Sequence, residues 1–281
     1  MASISDIVLL QDLTGSYADD LDTLRNRNLL PATVNRLTNP NLEVIFDSDL
    51  SFGIFSFNDK PISPLGSSGD YVYRQEVAWW KLDNTTGTTA TDSAGTNDGN
   101  YINNPTPVNA VVDDGLSFDG VNDYVEVDDN DALDFGIGDF SLSTWINTTD
   151  VAGIDVILDK RVEQSGSVQG YVLYNLGGNL GFQLADGSGF TNYISDVSIA
   201  DGDWHHVTVT VDRDNINGGE WYVDGELVDT FNPTGRQGSL SNSKPLRLGR
   251  RSDSSSPGYF NGSLDEVKLF DSALSSTDVQ N

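Results

Sequence analysis

The stretch Asp203-Trp-His-His-Val-Thr-Val-Thr-Val211, answered by Trp221-Tyr-Val-Asp-Gly-Glu-Leu227, decides the fold. In the first segment Val207, Val209 and Val211 fall on one side of an extended chain, with Thr208 and Thr210 on the other. The second sets Asp224-Gly225 between alternating apolar residues, which is the chemistry of a two-residue hairpin turn. The same pattern recurs at Tyr124-Val-Glu-Val127, Phe140 to Ile146 and Tyr171 to Tyr174, with Asp, Asn and Gly turns between. Short alternating strands at regular spacing predict a mainly β protein over residues 77–281, an antiparallel β-sandwich.

The first 76 residues read differently. Ile7 to Leu10 and Leu50 to Phe57 have the composition of buried strands. Between them, the apolar spacing from Tyr17 to about Leu37 predicts an amphipathic helix, kinked or broken at Pro31. Strand, helix and strand together point to a small N-terminal α/β fragment with a parallel sheet. The expected organisation is therefore 1–76 and 77–281.

Composition narrows the function. The 281 residues carry 15 Lys and Arg against 43 Asp and Glu, a net charge of −28. Such a chain repels phosphate backbones and anionic membrane surfaces, so no nucleic-acid partner is expected. There is no cysteine, which removes disulfides, thiol chemistry and Cys-ligated metals. No apolar run is long enough to span a bilayer, so no membrane insertion is expected. The start lacks the basic n-region of a cleavable secretory signal.

Two loops gather oxygen ligands. Asp12-Leu-Thr14-Gly-Ser16 follows a strand and precedes a helix. It can present a carboxylate and two hydroxyls to a hard divalent cation, or Thr14 or Ser16 can cap the helix with Asp19 and Asp20 in its first turn. Asp92-Ser-Ala-Gly-Thr-Asn-Asp-Gly99 packs carboxylates and two glycines into one turn. That loop suits calcium, or Asx turns in which Asp and Asn bond their own backbone. The tryptophans Trp79, Trp80, Trp145, Trp204 and Trp221 sit in alternating strands, and packing in the core is preferred to stacking on sugars. The adjacent His205 and His206 should face opposite ways, one hydrogen-bonded in the core and one partly exposed. Phe190, Tyr193 and Tyr259 are candidates for an exposed rim.

Two resemblances sharpen these expectations. Ile7 to Leu24 with Phe52-Gly-Ile-Phe-Ser-Phe-Asn-Asp-Lys60 resembles the first third of a von Willebrand factor A domain of the integrin β type. This implies an adhesion-type ion site at Asp12, Thr14 and Ser16, taking calcium or magnesium, and a neighbouring calcium site at Asp19 and Asp20. The later strands and remaining ligands of that family are missing, so the unit should be truncated and its ion site incomplete. From Val77 onward the succession Val77-Ala-Trp-Trp-Lys-Leu82, Asp92 to Gly99, Leu116 to Val127, Asp203 to Val211, Leu246-Arg-Leu-Gly249 and Phe260 to Leu274 resembles the laminin-G-like, concanavalin A-like jelly roll. That resemblance implies a structural calcium (Ca2+) at Asp92, Asn97 and Asp265, with Asp98 and Asp119 as further candidates.

Catalysis is weighed against binding. Jelly-roll hydrolases place Glu-x-Asp-x-x-Glu on one strand so that alternate carboxylates share a cleft. No such string occurs, and only seven glutamates exist in the chain. Asp265 and Glu266 are adjacent and should face opposite sides. No catalytic residue is therefore expected. The two resemblances together imply a calcium-dependent extracellular or cell-surface recognition and adhesion module whose partner is a glycan or a surface protein. A structural spacer in a larger surface protein, or a polysaccharide-active hydrolase, is the alternative.

Overall fold

The computed structural model describes the backbone of residues 35–39 and 42–46, and residues 76–281 apart from 85, 165–166, 253–255 and 281. The chain divides into units of 1–73 and 74–281. In the first unit, β1 (Asn35–Asn39) and β2 (Leu42–Phe46) pair antiparallel, Asn35 opposite Phe46 and Asn39 opposite Leu42. This corrects the expected helix at its end, because Leu37 lies on a strand. It also adds an antiparallel pair; the strands expected to form the parallel sheet, Ile7 to Leu10 and Leu50 to Phe57, lie outside the described residues. Asn39-Pro40-Asn41 carries turn residues, and that signal outranks a helical period already compromised by Pro31. The other N-terminal expectations, including Asp12, Thr14, Ser16, Asp19 and Asp20, lie outside the described residues.

The second unit is a two-layer antiparallel sandwich. One sheet runs in the order β13 (Phe190–Ser198), β12 (Asn179–Asp186), β11 (Ser167–Leu176), β10 (Ile154–Gln164), β17 (Leu246–Leu248), β8 (Tyr124–Val127), β5 (Gly99–Ile102) and β4 (Thr89–Ala90). The facing sheet runs β16 (Glu226–Phe231), β15 (Gly219–Val223), β14 (Trp204–Val211), β9 (Phe140–Asn147), β18 (Asn261–Phe270), β7 (Asp114–Asp119) and β6 (Thr106–Asn109). The strand β3 (Glu76–Trp80) also pairs with β18, alongside the half of it that β7 leaves free.

Alternation explains the core. Val207, Val209 and Val211 are buried between the sheets with Leu142, Ile146, Trp80, Trp221, Phe140 and Phe182. Burying each such side chain contributes about 1.5–3 kcal/mol. The hairpin β15–β16 turns at Asp224 (φ 53°) and Gly225 (φ 82°), the positive pair that a type I′ turn requires. A short helix, α1 (Ser276–Val279), opens with a capping box between Ser275 and Asp278. Its Val279 packs with Leu274 and Phe270 against Tyr222, on the outward side of the second sheet. Among the described residues no helix is long and apolar enough to cross a membrane.

Candidate functional site

Strand periodicity puts only one of two adjacent tryptophans in the core. Trp80 faces inward and is fully buried, so Trp79 must face outward, where it is partly exposed. The register then assembles a row across the outward side of the second sheet: Tyr222, Thr208, Ser143, Lys268 and Trp79. A neighbouring row brings His206, Trp145 and Asp265 together. Trp145 and His206 lie 5.1 Å apart between ring centroids. Lys81 and Lys268 place their ammonium groups 4.6 Å and 4.3 Å from the centre of the Trp79 ring. The Trp79 indole N–H donates to Glu266 Oε2 at 2.6 Å. The expectation that all five tryptophans pack in the core is corrected accordingly. Trp80 and Trp221 are core, whereas Trp79, Trp145 and Trp204 are not fully buried.

Backbone strain marks the same place. Leu82 (φ 64°) and Glu266 (φ 52°) are both in the left-handed region, which bulky side chains avoid. The segment after β3 meets β18 there, with the Glu266 N–H directed at the Lys81 carbonyl at 3.5 Å. Between Asp265 and Lys268 the pairing with β9 slips by one residue, making Glu266 a bulge. The bulge defeats the alternation that should have turned Asp265 and Glu266 to opposite sides. Asp265 pairs with the outward Trp145, and Glu266 bonds the outward Trp79. Such strain persists only where surrounding structure enforces it, and it concentrates at ligand-contacting places.

The two carboxyls are enclosed rather than open to substrate. Asp265 is 0% exposed and Glu266 7%. Asp265 accepts one hydrogen bond from the Val112 N–H at 3.0 Å, and its Oδ1 has no donor. Burial pushes its pKa up to about 6, helped by the nearby Glu266 and Asp83 charges and opposed by the Val112 hydrogen bond. Glu266 is also raised, chiefly by burial. Because the folded state holds the Asp265 proton more tightly than the unfolded chain, stability should fall as pH rises from about 4 to about 6 and then level off. Asp265→Asn is expected to remove that slope and to be more stable than the parent at pH 7 by on the order of 1–2 kcal/mol. Denaturant melts at pH 4 and pH 7 measure it; a variant less stable at both values would show the charge to be compensated.

His205 and His206 also depart from expectation, since neither is a core residue. His205 is held between Asp224 (2.8 Å) and Asp201 (3.1 Å). Burial opposes its charge, but the hydrogen bonds and charges of the two aspartates together raise its pKa. His206 goes the other way: burial and the Lys268 charge lower it, so the ring meets Trp145 at a 49° tilt in its neutral form at pH 7.

The calcium set does not come together. Asp92 is buried and saturated by four donors: Trp79 N and Ala94 N on Oδ1, and Asn97 N and Nδ2 on Oδ2, at 2.9–3.0 Å. Asp98 accepts from Asp92 N at 2.8 Å. Asp92, Asn97 and Asp98 thus share one loop that ties itself to β3, the Asx-turn arrangement. Asp119 lies in a separate turn, where the N–H groups of Val121 and Asn122 hold its carboxyl below the usual range. Asp265 bonds Val112 instead. Among the described residues no three acidic or histidine side chains are gathered to hold an ion. The Asp92 carboxylate is thus occupied by N–H groups of its own loop and of β3, whereas Asn97 Oδ1 and Asp265 Oδ1 are buried with no donor among the described residues.

The comparisons with known proteins agree with the architecture. The family profile described as concanavalin A-like lectin/glucanases superfamily (Laminin_G_3) matches residues 119–280. No curated protein matches the chain. Among solved structures, the binding domain of Paraclostridial Mosquitocidal Protein 1 superposes with a TM-score of 0.59 at 19% identity, over 73% of this chain and 51% of that one. The botulinum neurotoxin DC binding domain, solved in complex with rat synaptotagmin II, superposes with a TM-score of 0.55 at 16% identity, over 73% and 50%. The same toxin domain solved in complex with SialylT gives 0.54 at 17%, again over 73% and 50%. The chain thus spans about half the length of these structures, and at such identities the likeness is one of fold.

Proposed function

The chain belongs to the laminin-G-like family of the concanavalin A-like lectin/glucanase superfamily, and from that membership we propose that it is a non-catalytic recognition module, working outside the cell or at its surface, that binds glycan on the outward side of the β3–β18–β9–β14 sheet. The carrying observation is the pair of tryptophans displaced from the core, Trp79 and Trp145, set beside His206, Lys81, Lys268 and Glu266. Aromatic faces take the apolar side of a pyranose ring, while neighbouring ammonium and imidazole groups bond its hydroxyls. The enclosed carboxyls Asp265 and Glu266 support binding over hydrolysis, since retaining chemistry needs two carboxyls flanking an accessible bond. The toxin domains of like fold, solved with SialylT and with synaptotagmin II, support glycan and surface protein as the ligand classes.

The test is calorimetric titration of neutral tetrasaccharides of glucose, mannose, galactose and N-acetylglucosamine. At least one should bind, and Trp145→Ala should weaken it on the order of tenfold or more. The stacking contact requires no ion, so affinity should survive chelator. Loss in chelator would return the ligand contact to a calcium site. Silence from every sugar, with the chain folded, would favour the spacer reading, and release of reducing sugar would favour the hydrolase.

A further inference from the structure

On the outward side of the first sheet, arginines are paired with acids one after another. Arg161 forks onto Asp159 at 3.0 and 2.7 Å, Arg251 onto Glu163 at 2.7 and 2.5 Å, and Arg247 reaches Glu126 at 2.9 Å. In a chain with 43 acidic residues, that is the ordinary fate of a guanidinium. Arg250 is different. Its guanidinium carbon lies 4.8 Å from the Tyr124 ring centre and 5.5 Å from that of Tyr259, and the two rings are 6.5 Å apart. Among the described residues no carboxylate pairs with it, and its buried Nε has no acceptor.

This cluster is held rigidly. Gly249 N–H donates to Ile157 O and Phe260 N–H to Gly249 O, at 2.9 and 3.0 Å. The Arg251 N–H reaches Pro257 O, and the Val156 N–H reaches Gly258 O, at 2.7 and 2.9 Å. Ser252 N–H bonds Asp159 at 3.1 Å, fastening the turn to the sheet. A half-buried guanidinium beside two aromatic faces, with no carboxylate partner among the described residues, suits an oxyanion attached to something flat.

We propose that Arg250, Tyr124 and Tyr259 form a second binding site, specific for a glycan ending in one carboxylated sugar. Arg250 forks onto the carboxylate, and the tyrosine hydroxyls beside it bond the sugar's hydroxyls. The rest of the molecule chooses among anions. At −28, the chain repels a polyanion along its length, whereas a single charge is attracted locally and screened beyond about 8 Å at physiological salt. A singly charged terminal sugar is therefore favoured over a sulfated polymer or an acidic peptide. The inference rests on the recognition reading but uses the opposite layer of the sandwich, so the two can fail separately.

The experiment titrates the full chain with 3′-sialyllactose, a glucuronate-terminated disaccharide, lactose, a heparin oligosaccharide and a Glu-rich peptide. The two carboxylated sugars should bind at least about tenfold tighter than lactose, and Arg250→Gln should abolish that margin. Arg250→Lys keeps charge and fold but loses the fork, and should retain only part of the margin. Melting curves confirm that each variant is folded. Trp145→Ala should leave sialyllactose binding intact while weakening the neutral sugar, which separates this site from the tryptophan platform. Equal affinity for lactose and sialyllactose, an unchanged Arg250→Gln variant, or preference for heparin or the peptide would each overturn the proposal.

Discussion

Arg161→Leu is expected to lose about 3–5 kcal/mol of folding stability, because it strands a buried carboxylate. Asp159 is 0% exposed and Arg161 2%, and the guanidinium supplies both of the short contacts to Asp159 while also donating to Gln183 at 2.6 Å. With Arg161 gone, Asp159 keeps its bonds to Ser252 and nothing of opposite charge at that distance. The companion variant is Asp159→Leu/Arg161→Leu, which removes both charges and fills the space with apolar volume. It should recover most of the loss, since a buried ion pair contributes little over an apolar replacement while half of one is costly. Denaturant midpoints of the parent, single and double variants measure the effect. A single variant within about 1 kcal/mol of the parent would mean water reaches Asp159.

Gly170→Ala should be as severe, by a different cause. Gly170 sits opposite Arg161 in the β10–β11 pair with φ +123°, a conformation L side chains rarely adopt. An added Cβ would collide with the Lys160 carbonyl oxygen and lie 2.9 Å from Arg161 Cα. Neither obstacle is a flexible side chain, so the strand pair must separate locally, for a loss on the order of 3 kcal/mol or more. Gly153→Ala is the control, since its φ is +82° but nothing lies within 4 Å of the added carbon. It should lose about 1 kcal/mol, the strain of the backbone alone. Similar losses at both positions would show that dihedral strain, not the collision, sets the effect.

The sandwich was legible because its signals are local. Val207-Thr-Val-Thr-Val211 states which side faces the core between the sheets, and Asp224-Gly225 states where the chain reverses; both hold in the structure. The outward tryptophan was legible in principle too. Two adjacent residues of a strand cannot both face the core, so Trp79-Trp80 already implied that one of the pair stands outside. What alternation could not foresee was the bulge at Glu266. It depends on β18 changing partners from β7 to β3, an event far from it in sequence. Arg250 carried no sequence signal either. Its distinction from Arg247 and Arg251 is the lack of an acidic partner among the described residues, a difference that appears only once the strands are aligned. The Asp92 loop shows the opposite hazard: its composition suits an ion and its own backbone equally well, and only the structure shows that the Asp92 carboxylate bonds N–H groups of the loop and of β3.

Indole N–H resonances of the isotopically labelled protein test the recognition platform most directly. Upon titration with whichever neutral tetrasaccharide binds, the Trp79 and Trp145 signals should shift and saturate together, while those of the buried Trp80 and Trp221 stay in place. Saturation with the Trp79 and Trp145 signals unmoved would contradict the account, because the sugar would then be held somewhere other than the outward face these two residues define.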